Sequence, residues 1–76
     1  MIAVMYTNEW CHACGHARQL IKGLPIEERD IEDHMDFCIS HGLTLVPSFA
    51  IFDGDTLVKK YAGYLEKEEL LEFIKG

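Results

Sequence analysis

Ile2-Ala3-Val4-Met5-Tyr6, broken by Thr7-Asn8-Glu9 and followed by Trp10-Cys11-His12-Ala13-Cys14-Gly15-His16-Ala17-Arg18-Gln19-Leu20-Ile21-Lys22-Gly23, is the stretch that decides the architecture. Its first five residues are a nearly continuous apolar run, the pattern of a strand buried on both faces with parallel neighbours. Beyond the break, Cys14, Ala17, Leu20 and Ile21 recur at helical spacing from Cys11, and Gly23 after Lys22 makes a C-terminal cap. A strand therefore runs into a helix of about three turns, with two cysteines at the junction.

Working outward, Ile26 and Ile31 bracket a charged stretch that reads as a partly exposed strand over residues 25–30. Ile31, Met35, Cys38 and Ile39 repeat at helical intervals up to Gly42, which predicts a second helix with Glu32, Asp33, Asp36 and Ser40 on its outer face. Ser48 to Phe52 and Thr56 to Tyr61 are rich in apolar and β-branched residues, and Asp53-Gly54-Asp55 between them signals a hairpin of antiparallel strands. Leu70, Phe73 and Ile74 mark one face of a last helix, with Glu66, Glu68 and Glu69 at its start and Lys75 near its end, complementing the dipole. The order β-α-β-α-β-β-α predicts an α/β fold in one domain spanning residues 1–76. Its sheet is mixed and four-stranded, flanked by three helices.

Apolar residues make up 49% of the 76-residue chain and charged residues 26%, which fits a globular domain that folds alone as a monomer. A formal net charge of −6 without a basic cluster lacks the electrostatic footprint of nucleic-acid binding. No basic leader is present and no run approaches the roughly 20 apolar residues of a membrane span, so a soluble, cytoplasmic protein is expected. Three cysteines are too few, and odd in number, for the disulfide framework of a secreted scaffold.

The chemistry then rests on Cys11 and Cys14. Cys11 falls at the helix start, among N–H groups without intrahelical partners, a place that favours a thiolate and makes it the attacking nucleophile. Cys14, one turn further on the apolar stripe, is the more buried thiol, placed to resolve a mixed disulfide at Cys11. His12 beside Cys11 could tune the thiolate as a cation; it reads equally well as a solvated residue. Pro47 begins the third strand, and since only about 5% of such bonds are cis, frequency alone makes it trans. A zinc site built from Cys11, Cys14 and His12 or His16 is the competing reading, but zinc takes four ligands and no second cysteine pair supplies them. Cys38 reads as core packing, and His16, His34 and His41 as solvated.

Trp10-Cys11-His12-Ala13-Cys14, then Val46-Pro47-Ser48-Phe49, then Tyr61-Ala62-Gly63-Tyr64 together resemble the thioredoxin and glutaredoxin superfamily, in order and spacing over nearly the whole chain. The resemblance implies a thioredoxin fold and a thiol-disulfide oxidoreductase that reduces protein disulfides with no bound cofactor, its electrons coming indirectly from NADPH through a reductase. It further implies that Pro47 is cis and faces the cysteines, that the Val46 backbone pairs with an extended substrate segment, and that Trp10 and Gly63 border the groove. The chain's shortness, and its beginning directly with the strand before the cysteines, look like glutaredoxin. The ending Gly63-Tyr64-Leu65-Glu66 looks like thioredoxin, without the Gly-Gly and paired aspartates typical of glutathione users. Thioredoxin reductase is thus the expected electron donor, and glutathione the alternative. Met5 stands where thioredoxins usually place a buried aspartate, and Ala13 where proline or tyrosine is common. Some miniature thioredoxins and glutaredoxin-like proteins, the nearest likeness, deliver electrons to ribonucleotide reductase.

Overall fold

A computed structural model describes all 76 residues. Strand β1 (Ile2–Thr7) leads to helix α1 (His12–Leu20) and strand β2 (Ile26–Asp30). A 3-10 turn (Ile31–His34) then runs into helix α2 (Met35–Ser40), followed by strands β3 (Ser48–Asp53) and β4 (Thr56–Ala62) and helix α3 (Lys67–Lys75). The order is the expected one. No helix is long and apolar enough to cross a membrane.

The sheet runs β2-β1-β3-β4, with β1 parallel to β2 and antiparallel to β3, and β3 antiparallel to β4. β1 is central, which is why Val4 to Thr7 are all buried and why its apolar run does not alternate with polar residues. Successive side chains still point to opposite faces. Val4, Tyr6 and Ala50 meet Ile31, Cys38 and Leu43 on one face, while Met5 and Phe49 meet Ala17, Leu65 and Leu70 on the other. Helices α1 and α3 therefore cover one face of the sheet, and the 3-10 turn with α2 covers the opposite one. At the hairpin, Gly54 takes a φ of +62°, a left-handed conformation that a side chain would disfavour.

The second helix departs from expectation. Its first four residues form a 3-10 turn, capped where the Asp30 carboxylate accepts the Glu32 N–H at 2.9 Å. Three residues per turn instead of 3.6 advances the helix face by roughly 80° over that segment. Ile31 and Cys38 are buried as expected, but Met35 and Ile39 are 47% and 58% exposed. Phe37 packs on the core in their place, its ring 6.1 Å from that of Tyr6. Two histidines expected in solvent follow it inward. His41 stacks on Phe37 at 4.3 Å and its Nδ1 lies 2.9 Å from the Phe37 carbonyl, while His34 meets the Tyr6 ring edge-on at 5.7 Å. His16 is exposed.

Helix α3 is held at its start by a capping box, in which Glu66 N–H donates to the Glu69 carboxylate at 3.0 Å and the Glu66 side chain accepts in return. Leu70, completely buried, carries its weight against Met5 and Phe49. Leu70→Ala is expected to lower stability by about 3 kcal/mol, as a cavity-forming core truncation does. Leu71→Ala, one residue away and 38% exposed, should cost less than about 1 kcal/mol. Urea unfolding of the two variants checks both.

Candidate functional site

β1 ends at Thr7, and Asn8 turns the chain. Its side-chain Oδ1 accepts the Trp10 N–H at 2.9 Å and its carbonyl accepts the Cys11 N–H at 3.2 Å, a local arrangement that suits asparagine. Cys11 is thereby the N-cap of α1, with extended backbone angles, and its Sγ accepts the Cys14 N–H at 3.1 Å. A sulfur occupies the place where a serine or aspartate oxygen usually satisfies the first N–H groups of a helix. A thiolate there takes a full charge to the positive end of the helix dipole. In the protonated thiol, Cys11 donates to the Val46 carbonyl at 3.4 Å.

Cys11 is half-buried and Cys14 is fully buried. Burial first, and the hydrogen bond with the Cys11 thiol second, push the Cys14 thiol up to about 11. No carboxylate occupies the central strand beneath α1, since Met5 fills that position with no exposed surface. All three cysteines are free thiols.

The Val46–Pro47 bond is cis, as the resemblance implied, and Pro47 is buried. Its carbonyl accepts the Gly63 N–H at 3.0 Å, and Gly63 holds a φ of +124° that only glycine adopts without strain. Ser48 Oγ donates to the Leu45 carbonyl, closing the segment. Val46 N–H has no backbone partner. Trp10, 82% exposed, stands with Cys11 and Val46 at one side of a groove of about 530 Å³. Of the residues expected here, Trp10, Cys11 and Val46 are brought together. Pro47, buried, and Gly63, bonded to its carbonyl, both lie outside the groove lining. His12 is exposed, and the bonds at the Cys11 sulfur run to the backbone, not to its imidazole. No group of three or more His, Cys, Asp or Glu side chains sits together to hold a metal ion.

Three features were not read from the sequence. Asn8 organises the turn, and its position two residues before Trp10 was the available signal. The groove is also lined by Glu32 and by Met35 and Ile39, the two residues of the expected apolar stripe that stand exposed. Finally, buried Thr7 donates through Oγ1 to Glu28 Oε2 at 2.7 Å, and Arg18 Nε reaches the same oxygen at 2.7 Å. Partial burial pushes the Glu28 carboxyl up, but the bonds from Thr7 and Arg18 outweigh it and hold the group below its usual range. Arg18 follows Cys14 by four residues on α1, one turn along the same side, so this anchored cation lies near the cysteine pair.

The unequal exposure of the thiols has a direct consequence for reactivity. Limiting iodoacetamide at neutral pH is expected to modify Cys11 of the reduced protein at least about ten times faster than Cys14 or Cys38, because burial raises both of the latter. Peptide mapping of the alkylated protein reads the order.

No family model and no curated protein matches the sequence. The fold, in contrast, matches solved structures. A mutant thioredoxin from Halobacterium salinarum superposes with a TM-score of 0.82 at 16% identity, covering 97% of this chain and 71% of that one. The germline-specific thioredoxin Deadhead from Drosophila melanogaster gives 0.81 at 15% identity, covering 97% of this chain and 77% of that one. Thioredoxin 1 from the thermophile Thermosipho africanus gives 0.69 at 20% identity, covering 99% and 91%. With this strand order, a cysteine pair at the start of α1 and a cis proline beside it, the chain has the thioredoxin fold.

Proposed function

We propose that this chain is a thiol-disulfide oxidoreductase that reduces protein disulfides by dithiol exchange through Cys11 and Cys14. The observation that carries the reading is the N-cap sulfur. Cys11 is half-exposed in a groove and bonded to the Cys14 N–H, with the buried Cys14 thiol one turn behind it. The Cys11 thiolate attacks one sulfur of the substrate disulfide, forming a mixed disulfide and expelling the other sulfur as a thiolate. Cys14 then gives up its proton and attacks the Cys11 sulfur, releasing the second substrate thiol and leaving a Cys11–Cys14 disulfide. Two electrons pass from the dithiol to the substrate.

Other residues serve those steps. An extended substrate segment can pair with the free N–H of Val46, which Pro47 and Gly63 hold beside the sulfur. Anchored by Glu28, Arg18 offers a positive charge near Cys14 as its proton leaves. A thioredoxin reductase, drawing on NADPH, recharges the pair in preference to glutathione. This is supported by the segment after Gly63, which carries Tyr64 and Leu65 directly into the α3 capping box and has no Gly-Gly or paired aspartates.

Insulin disulfide reduction tests the assignment. Turnover is expected with thioredoxin reductase and NADPH, and little with glutathione, glutathione reductase and NADPH; the reverse result would make the protein a glutathione-dependent glutaredoxin. Cys11→Ser should abolish turnover. Cys14→Ser should accumulate a mixed disulfide at Cys11, visible as an added substrate mass.

A further inference from the structure

The groove into which Cys11 opens has one chemical character along most of its length. Ile31, Cys38 and Leu43 are buried at its floor, and Met35, Ile39 and Trp10 leave open apolar surface around it, at 47%, 58% and 82% exposure. Exposed apolar side chains gathered round a concavity mark a binding surface more often than scattered ones do. One charged side chain lines the groove. This is Glu32, whose carboxylate accepts from Asn8 Nδ2 at 3.3 Å, so the residue that turns the chain into Cys11 also tethers the anion. No lysine or arginine lines it, and Asp33 and Asp36 follow Glu32 at exposed positions. The two arginines are occupied elsewhere, Arg18 by Glu28 and Arg29 by Glu27.

From this we infer that the groove selects among disulfides, taking a protein segment whose cysteine is flanked by a bulky apolar residue and a basic residue. The inference rests on the dithiol-exchange reading above. With the substrate cysteine at Cys11, an adjacent large side chain falls among Ile31, Met35 and Ile39, removing apolar surface from water on both sides. A basic side chain on the other flank reaches Glu32, where opposite charge speeds encounter and a like charge slows it. Volume agrees, since about 530 Å³ exceeds what the substrate sulfur alone requires and falls in the range of sites that enclose several groups. Glutathione is a poor occupant on the same grounds, because it brings carboxylates towards Glu32 and no large apolar side chain.

The test uses the pre-reduced protein, which itself supplies the two electrons, in single turnover with symmetric disulfides of four end-blocked tripeptides. These are Leu-Cys-Arg, Leu-Cys-Glu, Ala-Cys-Arg and Ala-Cys-Glu. Samples are quenched in acid and the remaining free thiols alkylated and weighed. Leucine peptides are expected to react about tenfold faster than alanine peptides, and arginine peptides about threefold faster than glutamate peptides. Glu32→Gln should bring the arginine-to-glutamate ratio towards that found with dithiothreitol as reductant, which reports the peptides' intrinsic reactivity. It should leave the leucine-to-alanine ratio unchanged, whereas Ile39→Ser should lower the latter alone. Equal rates for all four peptides would overturn the selection and leave dithiol exchange standing. A charge ratio unmoved by Glu32→Gln would remove Glu32 from the inference, and no reduction of any peptide would sink the underlying reading with it.

Discussion

The Cys14 N–H donates to the Cys11 sulfur at 3.1 Å, so the side chain proposed as the nucleophile also closes the first turn of its own helix. Most of the architecture serves to hold that sulfur at that point. β1 must be the central strand for its end to be rigid, which requires Val4 to Thr7 to be buried on both faces. Asn8 must turn the chain within a few residues, and does so with its side chain on Trp10 and its carbonyl on Cys11. From the segment that enters the neighbouring strand β3, Val46 brings a carbonyl to the same sulfur, held there by Pro47 and by the hydrogen bond from Gly63.

Against that fixed point, the two thiols differ in one variable, contact with water. Cys11 faces the groove, while Cys14 lies on the buried side of α1 and is pushed up to about 11 mainly by burial. In the proposed mechanism, the packing that stabilises a small domain thus also disfavours the thiolate of the second thiol before the first has reacted. The core beneath α1 is apolar at Met5, so the charged groups nearest this side lie out at the helix and sheet edge. There, Thr7, Arg18 and Glu28 share one carboxylate oxygen. Such a pair, each partner about one-third exposed, adds little to folding stability, and its effect is on the local field.

Much of this was legible in the residues. Continuous hydrophobicity in β1, the Asp53-Gly54-Asp55 turn and the period of Leu70, Phe73 and Ile74 each reflect local physics, and all three elements lie where expected. The cysteine pair was legible because strand, break and helix frame it, and the cis Pro47 only through resemblance, since frequency alone argues for trans. Residues 31–40 were misread in part. A 3.6-residue period places Met35 and Ile39 inward, but the Asp30 cap draws the first turn into a 3-10 conformation and the aromatic ring of Phe37 takes the core position. That single change of phase turns two supposed core residues into the wall of the groove. The Thr7–Glu28–Arg18 contact joins three elements, and no local pattern announces it.

The central claim is that Cys11 and Cys14 form one reversible two-electron couple with Cys38 outside it. The most direct measurement is equilibration of the protein in thiol-disulfide buffers of graded potential, followed by acid quench, alkylation and peptide mapping. The account predicts a single two-electron transition in which a Cys11–Cys14 disulfide appears and Cys38 stays alkylatable after denaturation throughout. A protein that remains fully reduced across the range, or a disulfide that includes Cys38, would contradict it.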